Sequence, residues 1–210
     1  KMELKVSRAS LAQLTKNVFE AFESLASVKQ IGFEYVEKDV PEEVWFEARK
    51  IENILYNLLS NAFKYTPEKG RISLEVTGLA FKNSKLSAED STDENQSVIS
   101  IKVCDSGTGI SRENLPLIFK RFYRIESEEA FQINGSGIGL ALTEELIKAH
   151  HGDIFVDSEL GKGSVFEVQF PCLKSAYEAT EVTDMDTSGL GIQEQIDVLK
   201  DELISAGKAM

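Results

Sequence analysis

The chain of 210 residues is long enough for one ordinary domain with some surplus or for two small ones, and a hydrophobic content of 42% is sufficient for a packed interior. Its formal net charge of −12, from 23 basic and 35 acidic residues, argues against a general nucleic-acid binder because such a surface repels phosphate backbones. No apolar run approaches the ~20 residues that span a bilayer, so the sequence predicts a chain without membrane contact. Cys104 and Cys172 lack metal-like spacing and a catalytic partner pattern, which indicates reduced packing residues in a cytosolic compartment.

The first predicted element is an amphipathic helix. Its apolar spacing extends from Ser10 to Lys29, Ser10 and Gln13 have the spacing of a capping box, and Gly32 is expected to end it. A short strand is predicted over 33–36, and apolar residues then lead into a second helix.

The second predicted helix, over 49–65, carries two stripes. An apolar stripe has the spacing of a buried face and consists of Ile51, Ile54, Leu55, Leu58, Leu59, Ala62 and Phe63. Beside it, Asn57, Asn61, Lys64 and Tyr65 occur at i, i+4, i+7 and i+8, so two carboxamides, an ammonium and a phenol share one side. From this helix alone, a ligand-binding face and an ordinary solvated face are equally good interpretations.

Four later strands are predicted as two antiparallel pairs, because each segment alternates apolar and polar residues. The first pair spans 71–79 and 98–104 and is connected by a polar, mobile surface loop over 82–97. The second pair spans 153–158 and 164–170 and forms a hairpin.

Two helices are predicted between the strand pairs, and one after them. A short helix is expected around 115–122, and a longer one ends at Gly152. Beyond Pro171, an acidic segment leads into a helix with an apolar repeat. That repeat consists of Ile192, Ile196, Leu199 and Leu203. A linker helix, a dimer contact and a flap on the domain are all compatible with it, and the linker is favoured because the segment follows a clear stop. The sequence therefore predicts a domain over 1–171 and an acidic linker with an amphipathic helix over 172–210.

Two glycine-rich segments provide candidate ligand contacts. In DSGTGIS, which begins at Asp105, Gly107 and Gly109 permit close approaches that a β-carbon would block. In GSGIGLAL, over 135–142, alternate glycines precede a helix, so unpaired amides and the positive helix end can face an anion such as a polyphosphate. Each pattern alone is a weak signal, and neither the dinucleotide fingerprint nor a Walker loop is present.

An enzyme of another class shares part of the first pattern. An apolar strand followed by Asp-Ser-Gly-Thr is also typical of an aspartic protease, whose chemistry needs two carboxylates sharing a proton. The chain contains one such turn, at Asp105, so this interpretation would require a homodimer.

The order and spacing of the segments resemble the catalytic ATP-binding domain of sensor histidine kinases, in the superfamily that also holds gyrase, the Hsp90 chaperones and the MutL mismatch-repair proteins. NLLSNAFKYT at 57–66 matches the asparagine box of that family, DSGTGI at 105–110 its first glycine box and GSGIGLAL at 135–142 its second. IFKRFYR at 118–124 is similar to the phenylalanine box, and GKGSVFEVQFP at 161–171 to the last strand pair. The resemblance implies an α+β fold of the Bergerat type: a two-layer sandwich in which helices cover one side of a mixed, mostly antiparallel sheet.

The resemblance also implies roles for the polar stripe and the first glycine box. Asn61 would supply an oxygen to Mg²⁺, which prefers hard oxygen ligands, and Lys64 would neutralise phosphate charge. Asn57 and Tyr65 would line the same wall, and Asp105 would accept a hydrogen bond from the adenine amino group.

Further nucleotide contacts are implied around the two glycine boxes. Arg121 and Arg124 would be cations of a lid over the triphosphate. The remaining implied contacts are Gly107, Gly109, Ile110, Tyr123, Gly135, Ser136, Gly137, Ile138, Gly139, Leu140 and Ser164.

The expected reaction is transfer of the γ-phosphoryl group of ATP to a histidine outside this chain. Gyrase-like relatives carry a glutamate base four residues before the magnesium asparagine, whereas this chain has Asn57, which cannot act as a base; transfer is therefore favoured over hydrolysis. His150 and His151 are expected to pack at a helix end, so no nucleophile is predicted in this chain. A non-catalytic nucleotide-sensing or docking module of the same fold is the alternative.

The expected partners follow from the same resemblance. Because the chain starts at Lys1 and lacks a phosphoacceptor pattern, a dimerisation and phosphoacceptor domain is expected before it in a homodimeric parent. A response-regulator receiver domain is expected downstream, in a separate protein or in a hybrid sensor. The chain is expected in the cytosol, as part of a membrane-anchored or a free sensor.

Overall fold

The computed structural model describes residues 2–81, 96–125, 136–184 and 193–207 of the chain. These ranges contain seven β-strands, four α-helices and one short 3₁₀ helix, Lys174–Ala176. In chain order the strands and α-helices are β1 (Ser7–Ala9), α1 (Leu11–Val28), β2 (Gly32–Lys38), β3 (Val44–Phe46), α2 (Ala48–Tyr65), β4 (Arg71–Phe81), β5 (Gln96–Asp105), α3 (Gly139–Ala149), β6 (Asp153–Glu159), β7 (Gly163–Pro171) and α4 (Gln193–Gly207).

Five strands form one mixed sheet in the order β2-β4-β5-β7-β6. β2 is parallel to β4, and the other three pairs are antiparallel. Strand alternation directs Leu74, Ile101 and Val168 into the core beneath the helices. On the opposite face, Lys102 and Glu167 form an ion pair at 3.5 Å. The expected two-layer α+β fold with a mostly antiparallel sheet is confirmed.

α2 is fixed in the helical layer by its apolar stripe. All seven residues of that stripe are at most 3% exposed, as their spacing predicts. The Phe63 ring stacks on Phe22 of α1 with a centroid distance of 5.4 Å and meets Phe33 of β2 edge-on at 5.2 Å. Fully burying one such side chain stabilises a fold by ~1.5–3 kcal/mol, so this stripe determines where the neighbouring polar stripe lies.

Only one of the two predicted ends of α1 is confirmed. The Ser10 hydroxyl accepts the Gln13 N–H at 3.3 Å, as the capping-box spacing predicts. After the helix, the left-handed residue is Gln30, with φ of 54°, whereas Gly32 begins β2. Gly32 is therefore the start of a strand and does not end the helix.

The prediction of a short helix around 115–122 is wrong. The structure has consecutive turns there, with short-range bonds such as Leu117 N–H to Asn114 O at 2.8 Å. Pro116 lacks an N–H and disfavours helical backbone in the residue before it. Phe122 is left-handed, with φ of 66°, and donates its N–H to Gly137 O at 2.8 Å. A contact with a distant segment thus replaces the helical bond.

β1 and β3 form a separate antiparallel pair that the sequence did not predict. Each strand has only three residues, which is too short for an alternation pattern. Most of the expected surface loop over 82–97 lies outside the described residues, and its last two positions belong to β5.

The described part of the segment after Pro171 packs against the domain. Val182 pairs with Val6, and the buried Tyr177 donates its hydroxyl to Pro171 O at 2.8 Å. In α4, Ile196 and Leu199 are at most 1% exposed and belong to the main core. Of the three roles considered for this helix, a flap on the domain describes these contacts, and the division at residue 171 stays a prediction.

Candidate functional site

The polar stripe of α2 forms one wall of the candidate site. Asn57 Nδ2 donates to Gly139 O at 3.3 Å and so connects the middle of α2 to the start of α3. Asn61, one turn further on, makes no side-chain hydrogen bond to any other described residue. Tyr65 is 44% exposed, and burial raises the pKa of its phenol while the charge of Arg124 opposes that shift. The wall therefore presents polar groups that remain accessible to a ligand.

The first glycine segment begins where β5 ends. Asp105 Oδ1 accepts the Gly107 N–H at 2.8 Å, which directs the carboxylate. Burial raises the pKa of Asp105, and hydrogen bonds from the backbone of Gly107 and Ser164 oppose that shift. A β-carbon at Gly107 would lie 2.5 Å from Tyr65 O, and Thr108 donates its N–H to that same oxygen at 3.2 Å. The segment is thus in direct contact with the end of α2.

The end of β6 and the turn between β6 and β7 contact this segment from the other side. Gly109 has φ of 67°, and a β-carbon there would lie 2.0 Å from Glu159 O. Gly161 donates its N–H to Thr108 O at 2.7 Å. Ile110 donates its N–H to the Ser158 hydroxyl at 2.8 Å. The first glycine segment is therefore hydrogen-bonded at Thr108 and Ile110 and closely packed at Gly109.

The second glycine segment leads into α3. Gly137 has φ of 68°, and a β-carbon there would lie 2.9 Å from the backbone of Phe122. The α3 N-cap residue, Ile138, makes no side-chain cap hydrogen bond, and the positive end of a helix favours an anionic acceptor. Ser136 is exposed and Leu140 packs against the core. Gly135, which was expected to contact phosphate, lies outside the described residues.

The predicted cations do not share one environment. Burial lowers the pKa of the Lys64 ammonium; the charge of Glu202 in α4 opposes that shift, and the charge of Arg124 adds to it. The charge of Arg124 thus acts on both Lys64 and Tyr65, at the C-terminal end of the stripe. Arg121 instead forms an exposed ion pair with Glu145 of α3. Tyr123 donates its hydroxyl to Asn114 Oδ1 at 2.8 Å.

The two histidines have structural partners. His150 is 0% exposed, donates from Nδ1 to Leu146 O at 2.9 Å and accepts the Glu47 N–H at Nε2 at 3.2 Å. Burial lowers the pKa of His150 to about 4. His151 has its Nδ1 2.9 Å from Ala176 O. This agrees with the expected packing at a helix end.

Two groups near the site had no signal in the sequence. Ser158 was predicted only as the end of a strand, and Glu202 only as part of the acidic linker and amphipathic helix over 172–210. Their roles depend on contacts with residues far away in the chain, and hydrophobic periodicity carries no information about such contacts.

The arrangement agrees with one family. The protein-family model described as histidine kinase-, DNA gyrase B- and HSP90-like ATPase matches residues 47–174 of this chain. The match extends from the N-cap of α2 to the 3₁₀ helix after β7. The chain belongs to this family. Membership identifies ATP as the nucleotide for which the site is a candidate, and it gives the aspartic-protease alternative no support.

Proteins similar in sequence to this chain include named sensor kinases. The chain is 31% identical over 159 residues to the adaptive-response sensory kinase SasA of Gloeothece citriformis, covering 71% of this chain and 36% of SasA. It is 34% identical over 122 residues to the sensor histidine kinase WalK of Bacillus subtilis, covering 58% of this chain and 18% of WalK. The chain therefore spans well under half the length of these relatives.

Solved structures share the fold. The nucleotide-free catalytic domain of histidine kinase ThkA superimposes with a TM-score of 0.63 at 23% identity, covering 83% of this chain and 100% of that domain. Full-length ShkA in complex with AMPPNP gives 0.64 at 24% identity, covering 85% of this chain and 34% of ShkA.

Two features are absent from residues 2–81, 96–125, 136–184 and 193–207. In those ranges no helix has the length and apolar character to cross a membrane. The same ranges hold no group of three or more His, Cys, Asp or Glu side chains arranged to bind a metal ion.

Proposed function

We propose that the chain is the ATP-binding catalytic domain of a protein histidine kinase and transfers the γ-phosphoryl group of ATP to a histidine on a separate dimerisation and phosphoacceptor domain. The observation that carries this proposal is that one helix contacts both glycine segments. α2 meets the first segment through Tyr65 O and Thr108 N–H at 3.2 Å, and the second through Asn57 and Gly139 O at 3.3 Å. A nucleotide along the polar stripe would therefore have Asp105 at one end and the α3 amides at the other.

Each end has chemistry suited to one part of ATP. A directed, partly buried carboxylate such as Asp105 suits an amino group of a base. The amides at the start of α3 suit the negative charge of a triphosphate, and the Lys64 and Arg124 cations at the C-terminal end of the stripe can offset more of it.

The residues present fit Mg²⁺ that is shared with the triphosphate. Asn61 offers an amide oxygen without another partner among the described residues, and oxygen is the ligand that Mg²⁺ prefers. Magnesium is commonly held by few protein ligands together with substrate phosphates, which suits a site without a carboxylate cluster. When bound, the ion would neutralise charge on the phosphates.

The polar stripe of α2 carries no carboxylate that could act as a general base, which favours transfer over hydrolysis. Asn57 cannot act as a general base, and its amide is already bonded to Gly139 O. Phosphoryl transfer relies mainly on positioning and charge neutralisation, so the nucleophile can belong to another domain. His150 is buried and His151 is bonded to the tail, which leaves neither suited to accept a phosphoryl group.

The partner proposals extend to the parent protein. Histidine kinase ThkA has been solved in complex with the response regulator protein TrrA, and ThkA shares this fold with a TM-score of 0.59 at 22% identity. We extend this to a response-regulator receiver domain as the downstream partner of a homodimeric parent, with this chain in the cytosol.

Nucleotide binding is testable by thermal unfolding. Mg-ATP at about 100 times its dissociation constant should stabilise the fold by ~2.7 kcal/mol. Asp105→Asn and Asn61→Ala should reduce that stabilisation. Asn17→Ala is a matched control, because Asn17 is a helix-surface amide on α1 that bonds Gln13. Absence of stabilisation by any adenine nucleotide would overturn the proposal.

Transfer is testable with a separately prepared phosphoacceptor domain and ATP labelled at the γ-phosphate. Label should pass to a histidine of the acceptor, and transfer should depend on Mg²⁺. Binding without transfer would instead support a nucleotide-sensing module. Steady phosphate release without an acceptor would support a hydrolysing ATPase.

A further inference from the structure

Ser158, near the end of β6, uses its whole hydrogen-bonding capacity on residues around Asp105. Its hydroxyl accepts the Ile110 N–H at 2.8 Å and donates to Gly163 O at 2.9 Å. It also lies 2.9 Å from the Ser164 hydroxyl, which can donate to it. A serine hydroxyl has one donor and two acceptor sites, so these three partners satisfy it completely.

All three partners are neighbours of Asp105. Ile110 ends the glycine segment that begins at Asp105, and Ser164 donates a backbone hydrogen bond to the Asp105 carboxylate. Gly163 packs so closely that a β-carbon there would lie 1.9 Å from Asp105 O. One hydroxyl therefore joins the two chain segments that define the direction of the carboxylate.

We infer that Ser158 is a positioning residue for recognition of the base: it holds Ile110, Gly163 and Ser164 so that Asp105 is correctly oriented before the nucleotide binds. The inference rests on the proposed function, in which Asp105 accepts the adenine amino group. Pre-organisation of this kind improves affinity because less ordering is needed on binding.

The test compares Mg-ATP with its analogue that lacks the 6-amino group, by titrating each into the full chain. Ser158→Ala should weaken ATP binding about 5- to 10-fold, which corresponds to one hydrogen bond, and should change analogue binding by less than about twofold. Ser158→Thr, which keeps the hydroxyl, should restore the preference for ATP. Ser100→Ala is the matched control, because Ser100 is 3% exposed and bonds Glu167 on the opposite face of the sheet.

The outcomes separate this inference from the proposed function. An equal loss for both nucleotides, or no loss for either, would overturn the positioning role. If Ser158→Ala does not fold, Ser158→Cys provides the same comparison, since its weak hydrogen bonds should give an intermediate preference. Failure of the unchanged chain to bind ATP would overturn the proposed function itself.

Discussion

The loop after β5 and the loop before α3 both contain a left-handed glycine, Gly109 and Gly137, yet different elements hold them. The first loop is bonded to α2 through Thr108, and to β6 and the β6–β7 turn through Ile110 and Gly161. The second loop is bonded to the turns at Phe122, which have no regular structure of their own.

The two ends of the site therefore differ in how far their structure is formed before a nucleotide binds. The end that would read the base is built on packed helices and strands, so its shape exists before binding. The end that would bind phosphates depends on a segment held by isolated bonds, which is the arrangement expected where a nucleotide completes the structure.

Gly109→Ala should have the largest effect on stability. Its β-carbon would meet Glu159 O at 2.0 Å, in addition to the cost of a left-handed alanine, so we expect the free energy of unfolding to fall by ~3 kcal/mol. Gly161→Ala should lose only ~1 kcal/mol, because its φ is 80° but nothing lies within 4 Å of the added carbon. Urea unfolding of both variants would measure the difference, and equal losses would contradict the close fit at Gly109.

Low pH should reduce the free energy of unfolding through His150. This residue is at the C-terminal end of α3, where it accepts the Glu47 N–H at the start of α2. The pKa of His150 is lowered from 6.5 to about 4, so between these values the unfolded chain binds a proton that the folded chain does not. This contribution to stability is complete above pH 6.5 and is lost as the pH falls to about 4, by ~3 kcal/mol at most.

Thermal or urea unfolding at several pH values would show this dependence. His150→Gln should be less stable at neutral pH but should show a shallower loss in acid. An unchanged slope in His150→Gln would exclude His150 as the cause.

Gly137→Ala should affect stability less than Gly109→Ala, although its φ of 68° is almost the same. The added carbon would meet the backbone of Phe122 at 2.9 Å, and the turns there can shift, so we expect a loss of ~1 kcal/mol from the left-handed backbone alone. Nucleotide affinity should fall more clearly than stability, which parallel unfolding and ATP titrations would reveal. A stability loss as large as that of Gly109→Ala would show that the second loop is held as firmly as the first.

The smallest effect is expected at the ion pair between Arg121 and Glu145. The side chains are 63% and 43% exposed, so Glu145→Gln should change stability by less than ~0.5 kcal/mol because solvent screens such pairs. Released Arg121 should strengthen ATP binding slightly, and only at low salt. Glu144→Gln provides the control, and an effect that persists at high salt would argue against a simple electrostatic cause.

The sequence by itself determined the main elements and the two stripes of α2. Periodicity records which face of a helix or strand is buried, so the apolar stripe, the strand pairs and the cap at Ser10 could all be predicted. The spacing of the motifs was sufficient to identify the family. Whether Asn61, Asp105 and Lys64 contact ATP as proposed stays a prediction.

The tertiary structure alone decided how separate segments hold one another. The bond from Phe122 to Gly137 replaces a helix with turns, and Ser158 supports a segment 48 residues away in the chain. The docking of α4 likewise depends on which surface its apolar face meets, since amphipathic spacing predicts burial without naming the partner. Single bonds between distant residues leave no periodic trace in a sequence, and for this reason the supports of the candidate site became visible only in the folded chain.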